Sequence, residues 1–263
     1  MDLRKKQVIL LTFLILIFFA ANYSYLDSKL KKFFSEKENV VITRVIDGDT
    51  VSLGNISVRL LGINTPERGE IYYAEAKKFL ENRVINKTIE LEYGKNKYDI
   101  YHRILAYIKL EEKIINKEII ENGFANYYFP SGRDRHYSEF KNAWENCIKK
   151  ENNLCEKSKD KCSKCIVLNE LNYKNQIVIL ENVCSFDCNL TGWKIKDEGR
   201  KNFVFSEFVL NKEKKVKIIV GEGKNNKENI FWKNEEYVWT KSGDTLFLRD
   251  EKEKLILWKT YPE

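Results

Sequence analysis

Short apolar segments bounded by turn residues recur along most of this chain, and they constrain its fold more than any other feature. Between residues 40 and 110 these segments are rich in β-branched residues and are separated by pairs such as Asp47-Gly48 and Gly54-Asn55, which favour turns between strands. Helical periodicity is confined to residues 72–84, 116–122 and 137–150. Five short strands with inserted and appended helices predict a mainly β domain with some α, a five-stranded OB-fold barrel over residues 38–154.

The segment 166–263 continues the pattern of short strands without any helical stretch. Roughly eight strands at near-regular spacing predict a second domain built as a β-sandwich. A length of 263 residues accommodates two domains. A polar, cysteine-rich linker over residues 155–165 separates them.

The N-terminus has a different character. Residues 1–6 are a basic flank, and the run Val8–Leu26 carries no charge, so as a helix it would extend ~28 Å against a hydrocarbon core of ~30 Å. We therefore predict an uncleaved transmembrane anchor over residues 7–26, with a cleaved signal peptide as the alternative, and a polar juxtamembrane linker over 27–37. The basic flank favours an inside N-terminus, which predicts a single-pass protein of the cell membrane whose body lies outside the cytoplasm.

The net charge of +7 does not by itself indicate nucleic-acid binding. Most of the excess lies beside the apolar run, where it suits anionic lipid headgroups, and residues 38–154 carry equal numbers of basic and acidic side chains. A nucleic-acid function must therefore depend on a local site.

Three polar clusters interrupt the apolar pattern of the first domain. They are Asp47-Gly48-Asp49-Thr50, the segment from Arg59 to Glu67, and Asp99-Ile100-Tyr101-His102-Arg103. Each alone is explained by a turn, a cap or a surface charge. Together they supply oxygens for a hard cation, a glutamate that can take a proton from water, and two guanidiniums that can bind a phosphate.

In their order and spacing these clusters resemble the staphylococcal nuclease (thermonuclease) family, an OB-fold nuclease. The family pattern I-D-G-D-T, R-L-x-x-x-D/N-T-P-E and D-x-Y-x-R-x-L-A-Y stands here as Ile46–Thr50, Arg59–Glu67 and Asp99–Tyr107. Asn116 and Gly123-Phe124-Ala125 fit the later helix and turn. The resemblance covers nearly the whole of residues 40–154.

The resemblance implies a Ca²⁺-dependent endonuclease that hydrolyses DNA and RNA, and it assigns roles residue by residue. Glu67 would activate the attacking water, and Arg59 and Arg103 would stabilise the charge on the phosphorane. Calcium would be held by Asp49, Asn64 and Thr65. Asp47 would lie next to these ligands without binding the ion itself. Nucleotide contacts would come from Tyr101, Tyr127 and Tyr128.

Three departures from the family pattern alter these expectations. Asn64 stands where the family most often has an aspartate, so the site has one fewer negative charge and should bind Ca²⁺ more weakly. His102 replaces the usual glycine before the second arginine, and we interpret it as a surface residue of a turn. The stretch between Glu67 and Tyr72 is short, which predicts an open site.

The second domain resembles the lamin-tail domain, an immunoglobulin-like sandwich. The pieces Leu190-Thr-Gly-Trp193 and Gly243-Asp-Thr-Leu-Phe-Leu248 carry the match. This family implies a non-catalytic module that positions the nuclease on its substrate, the cell envelope or a protein partner. The segment contains no histidine and no recognisable catalytic set.

Six cysteines leave two alternatives open. Outside the cytoplasm, disulfides among Cys155, Cys162, Cys165, Cys184 and Cys188 are favoured, with Cys147 either a buried free thiol or the partner of Cys155. The alternative is a zinc site, because Cys162-x₂-Cys165 and Cys184-x₃-Cys188 have spacings that suit Zn²⁺. Connectivity cannot be deduced from the sequence.

Two other functional classes compete with the enzyme. An OB-fold domain that has lost catalysis would be a nucleic-acid-binding surface module, and the anchor with the sandwich would suit a structural surface protein. Glu67, Arg59 and Arg103 are all present, which favours the nuclease.

Overall fold

The computed structural model describes residues 3–27 and 37–262. It divides the chain into two compact units, Met1–Glu38 and Asn39–Glu263. Both predicted domains therefore belong to one unit, while most of the predicted juxtamembrane linker lies outside the described residues.

The N-terminal unit contains one long helix, α1 (Leu3–Ala21). Its bounds differ from the predicted apolar helix over 7–26, because α1 begins within the basic flank and ends at Ala21. No helix within residues 3–27 and 37–262 is long and apolar enough to cross a membrane, so the predicted transmembrane helix is not found there. The large apolar side chains of α1 between Ile9 and Phe19 are exposed.

The first domain is mainly β with three helices. Its strands are β1 (Lys37–Val41), β2 (Arg44–Asp47), β3 (Thr50–Leu53), β4 (Ile56–Leu60), β5 (Gly62–Asn64), β6 (Thr88–Tyr98), β7 (Ile104–Leu110), β8 (Lys113–Ile114) and β9 (Asn126–Tyr128). Its helices are α2 (Tyr73–Val84), α3 (Ile115–Glu121) and α4 (Tyr137–Lys150). Seven strands form one sheet in the order β1-β6-β7-β4-β3-β2, with β8 paired to β7. This sheet fits an OB-like fold, although it has more strands than the five predicted.

The apolar runs 40–46 and 56–63 each predict a single strand, and each is divided into two strands in the structure. The apolar run after residue 40 splits into β1 and β2, and the run 56–63 splits into β4 and β5. The second break lies at Leu61, and the next residue, Gly62, has a left-handed φ of 73° that favours glycine. A Cβ at Gly62 would also lie 2.7 Å from the ring of Phe140. The break turns β5 away from the main sheet to pair with β9.

The second domain is all β, as predicted. Its strands are β10 (Ile166–Asn172), β11 (Ile177–Asn182), β12 (Cys188–Asn189), β13 (Lys194–Lys196), β14 (Asn202–Val204), β15 (Val209–Leu210), β16 (Lys215–Val220), β17 (Asn229–Trp232), β18 (Asp244–Arg249) and β19 (Leu255–Tyr261). They form two four-stranded sheets, β10-β11-β16-β17 and β14-β13-β18-β19, and the pair β12-β15. Apolar residues of both large sheets share one core around Trp193 and Trp239. The apolar run Tyr237–Trp239 is one of the segments whose pattern predicts a strand, but it forms none in the structure.

Strand β18 lies between two hydrophobic cores, since all six of its residues are buried. Leu246 and Leu248 face the core of their own domain, whereas Phe247 belongs to the core of the first domain. The alternation follows from the period of two along a strand. The two domains are therefore fused through a shared core.

Three disulfides hold the cysteines, joining Cys147 to Cys155, Cys162 to Cys188, and Cys165 to Cys184. The first closes the end of α4, and the other two tie the segment before β10 to Cys184 and to Cys188, the first residue of β12. A zinc site would need the four thiolates that the last two bonds use. Of the two alternatives for Cys147, the structure shows the disulfide with Cys155.

Candidate active site

The turn between β2 and β3 brings Asp47 and Asp49 to one edge of the sheet. The Asp49 N–H donates to Asp47 Oδ1 at 3.1 Å, which closes the turn. Gly48 leaves no room for a side chain, because a Cβ there would lie 2.9 Å from Ala76 Cβ and from Thr65. The turn is thereby pressed against α2 and the residues that follow β5. Burial, and next the charge of Asp49, raise the pKa of Asp47.

Asp49, Arg59 and Thr65 form a buried cluster. Asp49 Oδ2 accepts the Thr65 N–H at 3.1 Å and the Thr65 hydroxyl at 3.0 Å, and it pairs with Arg59 Nη2 at 3.0 Å. The guanidinium also donates to the Leu60 carbonyl at 2.6 Å and the Ile63 carbonyl at 3.0 Å. These bonds fix the orientation of Arg59, because they engage both terminal nitrogens.

A second group forms at the start of β7, the strand that pairs in parallel with β4. Arg103 Nε lies 2.7 Å from Asp99 Oδ2, and the Arg103 guanidinium lies over the Tyr101 ring at 5.5 Å. Burial alone would raise the pKa of Asp99, but hydrogen bonds from Arg103 and its charge lower it overall. Tyr101 is 72% exposed, so its ring is open to a ligand.

The structure confirms that His102 is a surface residue of a turn. Its φ is 60°, in the left-handed region where glycine is least strained, which explains why glycine suits the position.

Asn64 and Glu67 contact the turn between β13 and β14, residues 197–201 of the second domain. Asn64 Nδ2 donates to the Gly199 carbonyl at 2.7 Å, and the Asn64 residue is only 3% exposed. Glu67 Oε1 pairs with Arg200 Nε at 2.8 Å, and the two side chains are 50% and 68% exposed. The short stretch after Glu67 predicts an open site. The site is not open at Asn64, because the 197–201 turn covers that residue.

The two candidate tyrosines of β9 have different surroundings. Tyr127 is fully buried, its hydroxyl lies 2.9 Å from Thr245 Oγ1, and its ring contacts that of Trp258. The structure therefore places Tyr127 between the domains rather than with the exposed groups. Tyr128 is partly buried, and burial, followed by the charge of Asp197, raises the pKa of its hydroxyl.

The donor chemistry of Asp49, Asn64 and Thr65 fits a hard cation. Because the Asn64 amide nitrogen donates to Gly199, its oxygen is the atom left for a cation, beside the Asp49 carboxylate and the Thr65 carbonyl. These are the oxygen ligands that Ca²⁺ prefers. Only one of the three donors is a carboxylate, and within the described residues no three His, Cys, Asp or Glu side chains gather as a metal site.

The sequence analysis missed the contribution of the second domain to this site. The segment Lys196-Asp-Glu-Gly-Arg-Lys201 carries the signal of a tight polar turn. Nothing in that signal indicates that the turn meets Glu67, which lies in a different domain. The contacts become visible only through the packing of the two domains.

Three buried carboxyl groups lie where the 197–201 turn meets β18 and β9. Burial, and next the charge of Asp244, raise the pKa of Asp197 to about 7 and that of Glu198 to about 8. Burial raises the pKa of Asp244 to about 6 against three backbone hydrogen bonds that lower it. Glu198 Oε1 accepts the Phe129 N–H at 3.2 Å, so this group spans the domain boundary.

Comparison with known proteins agrees with both predicted domains. Residues 57–157 match the family described as staphylococcal nuclease homologue, and residues 162–263 match the lamin tail domain. A thermonuclease of Staphylococcus intermedius is 30% identical over 130 residues, 46% of this chain and 77% of the relative. An uncharacterized endonuclease of Haemophilus influenzae is 32% identical over 137 residues, 50% of this chain and 71% of the relative.

A third relative, an SPbeta prophage-derived endonuclease of Bacillus subtilis, is 30% identical over 118 residues, 40% of each chain. The family match over residues 57–157 contains Arg59, Thr65, Glu67 and Arg103, and Asp49 precedes it. The chain therefore belongs to the thermonuclease family, and in it a lamin-tail domain follows the nuclease domain.

Proposed function

We propose that this protein is an endonuclease that hydrolyses phosphodiester bonds of DNA and RNA. The observation that carries the proposal is the buried cluster of Asp49, Arg59 and Thr65, with Glu67 two residues beyond Thr65 and half exposed. The cluster supplies a fixed guanidinium, and Glu67 supplies a carboxylate that water can reach. The similarity to thermonuclease and to endonucleases supports the same chemistry.

In the proposed reaction Glu67 accepts a proton from the attacking water. Arg59 and Arg103 donate hydrogen bonds to phosphate oxygens as negative charge develops there. Both guanidiniums are held in advance, Arg59 by Asp49 and two carbonyls and Arg103 by Asp99. Such preorganisation reduces the cost of ordering these groups in the transition state.

We also propose Ca²⁺ as the cofactor, held by Asp49, Asn64 and the Thr65 carbonyl. When bound, the cation would add positive charge beside the scissile phosphate. One carboxylate among three donors supports weak binding, because ligand charge sets Ca²⁺ affinity.

For the location of the protein we propose the cell membrane, with the body outside the cytoplasm. The three disulfides support an oxidising compartment, and the apolar N-terminal segment supports attachment to lipid. Protease treatment of intact cells tests this, and a body that stays undigested would contradict it.

A nucleic-acid-binding module without catalysis is the second candidate. The observation that favours it is the engagement of Asn64 by the 197–201 turn, since a site closed there would hold a cation poorly. The intact set of Glu67, Arg59 and Arg103 favours the enzyme.

The deciding experiment measures cleavage of single-stranded DNA and RNA by the full chain, with Ca²⁺ and with a chelator. We expect cleavage that requires Ca²⁺ and that falls ~10²–10³-fold in Glu67→Gln, Arg59→Ala or Arg103→Ala. Binding without cleavage would establish the second candidate. Cleavage that persists with the chelator would remove calcium from the proposal and leave the enzyme.

A further inference from the structure

The lamin-tail domain reaches the proposed active site through one hairpin, β13–β14. Arg200 Nε lies 2.8 Å from Glu67 Oε1. Lys196 Nζ lies 3.5 Å from Glu70 Oε1, and Glu70 Oε2 accepts the Glu67 backbone N–H at 2.7 Å. The hairpin thus contacts Glu67 twice, directly at its carboxylate and through Glu70 at its backbone.

The same hairpin is bonded to the residues that flank Glu67. The carbonyls of Glu198 and Gly199 accept Asn64 Nδ2 at 3.4 and 2.7 Å. The Glu198 carbonyl also accepts Asn126 Nδ2 at 2.9 Å. Because Asn126 pairs with Asn64 between β9 and β5, the 197–201 turn is fixed to both strands.

The packing between the two domains indicates that the contact between the hairpin and Glu67 is permanent. Trp144 of the first domain contacts the rings of Phe247 and Trp258 at 5.3 and 6.4 Å. Arg249, which is buried, donates to the Leu154 carbonyl at 2.7 Å. Separating the domains would expose these aromatic faces to water, which is costly. A hinge that lifts the hairpin off the site is therefore not favoured.

We propose that Arg200 is a positioning residue for Glu67, so that the lamin-tail domain completes the nuclease active site. The inference rests on the proposed function, since it gives Glu67 the role of accepting a proton from water. Glu67 is half exposed and follows a loop, so by itself its side chain has many rotamers. An ion pair to Oε1 restricts them and leaves Oε2 for the water.

Loss of Arg200 should lower kcat without unfolding the protein. An ion pair between exposed side chains contributes little to stability, whereas a misplaced catalytic group is costly to rate. We expect Arg200→Ala to lower kcat ~10-fold or more, with a much smaller change in KM and an unchanged Tm. Arg200→Lys keeps the positive charge and should restore most of the rate.

A matched control comes from the same turn. Lys201 pairs with Glu235 at 2.6 Å, away from Glu67, so Lys201→Ala should keep the wild-type kcat. The double variant Glu67→Gln with Arg200→Ala shows whether Arg200 acts by positioning Glu67 or by its positive charge alone. If Arg200 acts through Glu67, the double variant cleaves no more slowly than Glu67→Gln alone.

The experiment is steady-state cleavage of a single-stranded DNA oligonucleotide by full-length wild type and these variants, with Tm measured for each. A wild-type rate in Arg200→Ala, a faster rate, or additive losses in the double variant would overturn the inference while the proposed function stands. A wild-type chain without cleavage, or Glu67→Gln with the wild-type rate, would overturn the proposed function and this inference with it.

Discussion

At the scale of single residues, Asn64 shows why a departure from the family pattern can be a requirement of this fold. An aspartate there would add charge for a cation, but it would also face the carbonyls of Glu198 and Gly199. Of these two side chains, the asparagine amide donates to those carbonyls, whereas an ionised carboxylate only accepts. Asn64 thus satisfies the domain contact, and it leaves the proposed cation site with one carboxylate fewer.

This reasoning predicts opposite effects of Asn64→Asp on binding and stability. We expect tighter Ca²⁺ binding, because a second carboxylate joins the site, together with a loss of about 1–3 kcal/mol in the free energy of unfolding from the Gly199 carbonyl, which loses its partner. Isothermal titration with Ca²⁺ and urea unfolding without it measure the two effects. Asn64→Ala serves as the control, since it removes the same hydrogen bond without adding charge. Unchanged stability in Asn64→Asp would contradict the explanation.

At the scale of elements, the β2–β3 turn sets the position of Asp49. Its glycine is required for space, because a Cβ at Gly48 would meet Ala76 Cβ and Thr65 Cβ at 2.9 Å. Neither neighbour is the end of a flexible side chain. The turn could not accept a larger residue without a shift of α2 or of the residues after β5.

We therefore expect Gly48→Ala to cost about 1–3 kcal/mol through overpacking and to reduce cleavage by displacing Asp49. Gly54→Ala is the comparison, because that glycine lies in the next turn with open space around it. The Gly54→Ala variant should lose only the stability that a left-handed φ costs an alanine, and it should cleave at the wild-type rate. Urea unfolding and cleavage rates measure both variants, and equal activity in the two would refute the packing argument.

The disulfides are a second feature at this scale. Purified protein should contain no free thiol and no stoichiometric zinc, and reduction should lower the free energy of unfolding by roughly 3 kcal/mol for each of the longer loops, Cys162–Cys188 and Cys165–Cys184. Thiol titration under denaturing conditions and metal analysis test the first part. Equimolar zinc with free thiols would establish the alternative site instead.

Most elements of the structure follow from the sequence, and the exceptions have physical causes. Helix α4 has the bounds predicted from the periodicity of residues 137–150, and strand β11 has those predicted from the apolar run 177–182, because both patterns are strong. Short strands such as β12, β15 and β17 were not predicted, since two to four residues carry too little pattern. The family resemblance places Asp49, Asn64 and Thr65 at a cation and Arg59 at the phosphate of one site, but it does not predict that Asp49 pairs with Arg59. The contact of Arg200 with Glu67 could not be predicted either, because the two residues lie in different domains.

At the scale of the whole molecule, three buried carboxyl groups of the second domain lie beside its contact with the first, and Glu198 Oε1 bonds across the boundary to the Phe129 N–H. Asp244 accepts backbone N–H groups of Glu198 and Thr245 at 3.2 and 2.8 Å. It faces the carboxyl groups of Asp197 and Glu198 and the hydroxyls of Tyr128 and Tyr261. Since its pKa is raised to about 6, the folded protein binds a proton there that the unfolded chain releases near pH 4.

The contribution of Asp244 to the free energy of unfolding should therefore fall as the pH rises. The contribution of Asp244 is fully present below about pH 4 and is lost as the pH rises through about 6. We expect Asp244→Asn to flatten this dependence, measured as the free energy of urea unfolding at several pH values between about 4 and 8. Asp187→Asn, at an exposed aspartate, should keep the wild-type slope. An unchanged slope in Asp244→Asn would exclude Asp244 as the source.

The shared core also has a consequence for the order of folding. Synthesis delivers the nuclease segment, with Trp144 and Tyr127, well before β18 and β19 supply Phe247, Thr245 and Trp258. The earlier segment must therefore keep its aromatic faces uncovered until the later strands arrive, or fold only together with them. Nuclease competence would then be a late event in biogenesis, reached when the second domain has closed over the first.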